Sequence, residues 1–280
     1  MFVMNSSTGL SLFRTLALVL LFESQLVLSQ TNLVTLPNQT SDEDRSPCIR
    51  PAPLFSAEDY DGPFNKVVGY LSRKPEIKTV HQHLRRPGLS VCSLTAPEKF
   101  RLFVTNNVEP VTFVATAFNS GLAQAQNQDR MFGQGADGYA KRYGAALTDD
   151  VAGDFLHTFL FSVISRQDPR YYRQLEGSTT TRLSHALSHV LVAKADSGAK
   201  IFNFPEWMGT TSMVFLSNVY HPGNAQGLRP AARRIGVNIA TDAASDVVRE
   251  FWPEIVRKLK LPFKEHDHQQ AYTGNEGKRY

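Results

Sequence analysis

Cysteine, tryptophan and long apolar runs are scarce in this 280-residue chain, which has two Cys and two Trp. Neither Cys48 nor Cys92 has a neighbouring His or Asp of the kind that activates a thiol, so a cysteine nucleophile is not indicated. No apolar run in the body of the chain approaches the roughly 20 residues that span a bilayer. Charge of one sign is also lacking: the formal net charge is +4. Basic residues occur singly or in short groups such as Arg233-Arg234 and Arg257-Lys258, the pattern of solvated helix faces, and nucleic acid is not an expected partner. There is no Gly-x-Ser-x-Gly elbow. Gly133-Gln134-Gly135-Ala136-Asp137-Gly138 follows no strand pattern and precedes no Lys-Ser or Lys-Thr, so it is not a phosphate loop.

The amino terminus carries a targeting pattern. Arg14 precedes an apolar stretch at 16–22, Glu23 interrupts it, and Val27 and Ser29 form the small-residue signature of a signal-peptidase site. Residues 1–29 therefore read as a signal peptide, the alternative being an uncleaved interfacial anchor. Export to the periplasm or the outer membrane makes Cys48 and Cys92 candidates for one disulfide, with two free thiols as the alternative. Residues 30–63, polar and proline-containing, read as a disordered tether, and Asn38-Gln39-Thr40 is a glycosylation sequon. Residues 64–108 hold short apolar runs split by Pro75 and Pro87-Gly88, which predicts a small irregular or strand-containing arm. Residues 264–280 are polar and read as a loose tail.

From residue 109 the pattern becomes helical. The segment 140–166 returns in diverged form at 232–258, sharing Ala140/Ala232, Arg142/Arg234, Gly144/Gly236, Asp150/Asp242, Ala152/Ala244, Asp154/Asp246 and Phe159/Phe251. Each copy follows an apolar helix opened by a proline, Pro110 or Pro205, and a loop. The expected fold is mainly α: an internally duplicated helical-hairpin bundle over 109–263, with repeats at about 109–168 and 204–260. A connecting helix is expected over 179–195, a loop over 127–138, and a kink or restart at Pro253.

The chemistry-bearing residues concentrate on the duplicated helices. Asp150, Asp154 and His157 share one face of the first, and Asp242 and Asp246 share the matching face of the second. Carboxylates one turn apart, presented twice, are candidate ligands for a divalent metal, although the second copy has Arg249 where a ligand His would stand. The plainer reading has these Asp side chains accepting hydrogen bonds and salt bridges at a helix interface. His185 and His189 are four apart, as zinc ligands often are, without a third ligand in evidence, and His81-Gln82-His83 and His266-Asp267-His268 are further histidine pairs. Arg170, Tyr171, Tyr172 and Arg173 form a compact candidate site for an anion or a sugar face.

Asp61-Gly62-Pro63-Phe64-Asn65-Lys66, Glu76-Ile77-Lys78-Thr79-Val80-His81, Phe132-Gly133-Gln134-Gly135-Ala136, Asp168-Pro169-Arg170-Tyr171-Tyr172-Arg173 and Phe251-Trp252-Pro253-Glu254-Ile255 together resemble a family of exported acidobacterial proteins with no established activity. The resemblance covers about residues 60–263 and implies an envelope setting and no catalytic residue. The expected function is a non-enzymatic binding or assembly module without a cofactor, partnered by an envelope protein, a membrane surface or further copies of itself. A metal-dependent enzyme and an interfacial membrane protein are the alternatives.

Overall fold

The computed structural model describes residues 48–50, 53–55, 60–62, 65–81, 90–221 and 227–263, all within the compact unit Ser46–Tyr280. The signal peptide, the sequon, most of the tether and the tail, with its His266-Asp267-His268, lie outside these residues, as does the second histidine of His81-Gln82-His83. The architecture is mainly helical, with seven principal helices and a few short strands. In chain order these are β1 (Cys48–Ile49), α1 (Asn65–Ile77), β2 (Thr79–His81), β3 (Ser90–Val91), α2 (Ala96–Asn107) and α3 (Pro110–Ala125). Next come α4 (Gly135–Asp154), β4 (Tyr171–Arg173), α5 (Thr179–Ser188), β5 (Val192–Lys194), β6 (Lys200–Phe202), α6 (Phe204–Ser217) and α7 (Leu228–Lys258).

Residues 64–108 are more helical than their sequence predicts. Two strands are present, but α1 runs for 13 residues and α2 for 12. Pro97 sits in the first turn of α2, where a missing N–H costs nothing, and the Glu98 carboxylate accepts from the Thr95 N–H at 2.8 Å. Cys48 and Cys92 form a disulfide beside the parallel pair β1–β3. β2 pairs in parallel with β4, aligning Thr79 with Tyr171 and His81 with Arg173.

Three further boundaries differ from the pattern-based reading. The loop at 127–138 is shorter, because α4 starts at Gly135 after a 3-10 turn at Arg130–Phe132. The connecting helix stops at Ser188, and β5, where helix was expected, pairs with β6 in an antiparallel hairpin. β-branched Val192 suits the strand that replaces it, and Gly198 supplies the positive φ of +87° needed in the turn. Pro253 does not start a new element but lies inside the continuous α7. Its ring deprives the Arg249 carbonyl of the usual donor, and Arg173 Nε fills that place at 2.5 Å.

Two helical hairpins dominate. α3 packs against α4, α6 against α7, and α6 also crosses the segment that continues α4. That segment, Phe155–Phe161, is a π-helix, followed by a last α-turn at Ser162–Ile164. Its outer side carries Phe155 and Phe159, 5.4 Å apart between ring centres and packed on Phe103 and Phe100 of α2.

The interior is polar to an unusual degree. One apolar cluster, Leu54, Phe55 and Val256, is covered by Leu175, Trp252, Leu261 and Phe263. Elsewhere buried polar and charged groups meet one another: Arg173 lies 2.8 Å from Glu76, the His81 ring 3.0 Å from Glu76, and Arg182 2.9 Å from Glu250, which also takes the Tyr171 hydroxyl at 2.7 Å. α3 shows the inversion plainly: Thr116 and Ser120 face inward while Phe113, Val114, Phe118 and Leu122 are exposed. α2 and its C-cap expose Phe100, Val104 and Val108, and α5 exposes Leu183 and Leu187, each set at four-residue spacing along one face.

Candidate functional site

A cavity of about 450 Å³, open to solvent on one side, lies between the two hairpins. Its walls come from α4 and the π-helix on one side and α6 and α7 on the other, with Lys78 and His189 at its edges. Asp150, Asp154, His157, Asp242 and Asp246 all line it. The sequence thus named residues from both walls of one cavity.

Asp154 is the centre of a dense network. It pairs with Lys78 and accepts from Asn106 Nδ2 at 3.0 Å, Asn107 Nδ2 at 2.6 Å and Thr158 Oγ1 at 2.6 Å. Burial opposes its charge, yet Lys78 and these donors outweigh burial and hold the carboxyl below its ordinary range. Asp246 is placed similarly on the facing wall, 2.7 Å from His189 Nδ1 and 2.6 Å from Arg249. Burial is again outweighed, here by His189 first and then Arg249, and the carboxyl is held low.

Glu206, which the sequence reading passed over, behaves in the opposite way. It stands in the first turn of α6, whose N-cap is the Asn203 side chain accepting from the Glu206 N–H at 3.2 Å. A carboxylate there gains about 0.3–1 kcal/mol from the helix dipole. Burial, followed by the charge and hydrogen bond of Asp242, overwhelms that gain and pushes Glu206 up to about 9. Asp242 is raised as well, mainly by burial. Glu206 Oε1 is buried and meets no donor. One proton shared between the two carboxyls relieves their repulsion, so the pair does not carry two negative charges at neutral pH.

His157 leans over this pair. Its Nδ1 is 3.7 Å from Glu206 Oε2 and its Nε2 is 3.2 Å from Thr210 Oγ1. Burial, with help from the nearby Lys78 charge, pushes the ring down to about 4, so it is neutral at pH 7. The π-helix, a departure that recurs at functional sites, carries the ring, and Ser162 Oγ donates to the His157 carbonyl at 2.6 Å. The ring fits only because residue 209 on α6 is glycine: a Cβ there would stand 2.2 Å from His157 Cδ2.

Seven carboxylic side chains and three Lys or Arg line the cavity. Lys78 and Arg249 are neutralised by Asp154 and Asp246, and Arg234 reaches back to Ser217 and, at 2.6 Å, Asn218. Asp149 is matched by His221 Nε2 at 2.9 Å and Asp168 by Arg170. Asp150, which takes the Thr116 hydroxyl at 2.6 Å, feels the Lys74 charge without forming an ion pair, and the Glu206–Asp242 pair feels Arg249 in the same way. Among the described residues no three His, Cys, Asp or Glu side chains are grouped so as to hold a metal ion. The expected ligands surround a space, and each keeps a protein partner.

The other candidates are engaged within the fold. His185 Nε2 lies 2.8 Å from the Tyr172 carbonyl while His189 turns to Asp246, so the two rings do not converge. Arg170 is held by Asp168 and donates to the Cys92 carbonyl at 2.7 Å, and Tyr172 donates to Asp168 at 2.8 Å. Tyr171 and Arg173 are buried in the ion-pair network. The glycine loop before α4 turns its carbonyls inward to Arg142, which donates to Gly133 O at 2.7 Å and Gln128 O at 2.6 Å.

No protein-family model, no curated protein and no solved structure matches this chain, so the cavity is the principal guide to its function.

Proposed function

We propose that the protein is an envelope binding module whose ligand is a small organic molecule held in the cavity between the two helical hairpins. The observation that carries this reading is the cavity itself, which leaves the buried carboxyls of Asp150, Glu206 and Asp242 at its wall without an ion pair to Lys or Arg. Keeping such groups buried and unmatched costs stability, which is characteristic of binding sites rather than of packing. The disulfide Cys48–Cys92 fits an exported protein, in line with the signal pattern and the resemblance to exported acidobacterial proteins.

A thermal-shift panel of amines, polyols, carboxylates and phosphate on the chain from Gln30 to Tyr280 tests the reading. At least one class raises Tm, and Thr241→Trp, which blocks the cavity from an exposed lining position, abolishes the effect. A panel without any shift contradicts it.

A second reading concerns the exterior. The exposed apolar stripes of α2, α3 and α5 over a polar interior favour a membrane-lying protein. Among the described residues no helix is long and apolar enough to cross a membrane. Flotation with vesicles that survives 1 M salt, reduced in Phe113→Ser with Phe118→Ser, supports this reading, and a protein that stays in the aqueous fraction removes it.

We also propose that the hairpins arose by duplication. In support, Arg142 and Arg234 each reach back to the end of the preceding helix, and Asp154 and Asp246 face one cavity from opposite walls.

A further inference from the structure

We infer that the ligand is an organic cation: a protonated amine with a short apolar body, its ammonium group seated against Glu206 and Asp242. This inference rests on the cavity being a binding site and specifies what enters it. Three features of the wall converge on that chemistry. First, the Glu206–Asp242 pair is in no ion pair with Lys78, Arg234 or Arg249, although all three line the same space: Lys78 and Arg249 pair with Asp154 and Asp246, and Arg234 turns to Ser217 and Asn218. An anion would therefore face seven carboxylic side chains against three basic ones, two of those three already paired with Asp154 and Asp246. Second, Glu206 Oε1 is a buried acceptor without a donor, and an ammonium offers three N–H groups to such an atom. Third, Pro205, Met213 and Val214 give the same cavity an apolar wall, which a hydrated inorganic ion cannot use and a methylene chain can.

The lack of a three-donor cluster among the described residues speaks for an organic rather than a metal cation. Asp150, on the opposite wall and likewise in no ion pair, offers a second anchor for a molecule with an amine at each end. His157 stays neutral beside the pair, so it adds no repulsion and presents a ring edge to the bound chain.

Calorimetric titration of the chain from Gln30 to Tyr280 with putrescine, butane-1,4-diol and calcium chloride tests the inference. The diol has the length and hydrogen-bonding groups of the diamine without its charge. The expected result is putrescine binding at least tenfold tighter than the diol, no saturable heat with calcium, and at least a tenfold loss in Glu206→Gln. Asp137→Asn, an exposed carboxylate on the first turn of α4, leaves the affinity unchanged. The diol binding as well as the diamine, with Thr241→Trp abolishing both, overturns the cation and keeps the cavity as the site. Calcium binding in preference to putrescine also overturns it. Silence from both organic probes overturns the inference. The cavity reading falls separately, if the wider thermal-shift panel is silent too.

Discussion

Gly209 of α6 lies directly beneath the His157 ring, so closely that a Cβ at 209 would come within 2.2 Å of Cδ2. Both residues are needed to bring the π-helix against α6. Gly209→Ala has to displace the ring or part the helices, and a loss of about 1–3 kcal/mol is expected from overpacking. Gly236, at mid-α7, has open space where its Cβ would go. Gly236→Ala removes unfolded-state freedom without a clash and should stabilise by roughly 0.5–1 kcal/mol. Urea unfolding of the two variants checks the contrast.

Glu206→Gln should stabilise the protein at neutral and mildly alkaline pH. A carboxyl raised to about 9 in the folded state, against about 4.3 unfolded, contributes stability that is complete below pH 4.3 and lost as pH rises through 9. Glutamine removes that loss, so the variant's Tm should exceed the wild type's by several degrees at pH 8 and converge with it near pH 4. Thermal melts across pH 4–9 decide the sign. The same substitution should weaken ligand binding, the trade expected of a site residue.

On the acid side His157 acts in the other direction. Its folded-state value of about 4 lies below the ordinary 6.5, so the stability tied to its neutral ring is present above pH 6.5 and is lost as pH falls toward 4. A loss of about 2 kcal/mol is expected, discounted because a quarter of the side chain meets solvent. His157→Gln should flatten the stability profile between pH 6.5 and 4 while leaving pH 8 nearly unchanged.

Arg173→Met is expected to cost about 3–5 kcal/mol. The guanidinium is fully buried, pairs with Glu76 at 2.8 Å, and serves the Arg249 carbonyl that Pro253 leaves free. Adding Glu76→Gln to Arg173→Met should recover part of the loss, since the uncompensated carboxylate is then gone. Denaturant midpoints of both variants measure the coupling.

Much of the helical architecture was legible because Pro110, Pro205 and the small-residue periodicity on α4 and α7 are strong local signals. Asp150, Asp154, His157, Asp242 and Asp246 were legible as a set from spacing alone, and all face one cavity. Glu206 was not. An acid in the first turn of a helix is what dipole complementarity predicts anywhere, and only tertiary contact with Asp242 distinguishes it. Lys78 was invisible for a similar reason: it joins the site from the end of α1, 76 residues before Asp154. The π-helix leaves no periodic trace, since Phe155, Phe159 and His157 fit an α-helical face equally well. The continuous α7 was hidden by Pro253, whose cost is offset by Arg173, a residue distant in the sequence. The helices within 64–108 were masked by Pro75, which α1 contains in its last turn.

The most direct test of the cavity as a ligand site is amide NMR of the chain from Gln30 to Tyr280, titrated with the compound giving the largest thermal shift. The account predicts shift changes concentrated in the π-helix, the first turns of α6 and the middle of α7, around His157, Glu206 and Asp242. Changes confined to other surfaces, or a titration that leaves these three regions unmoved, would contradict it.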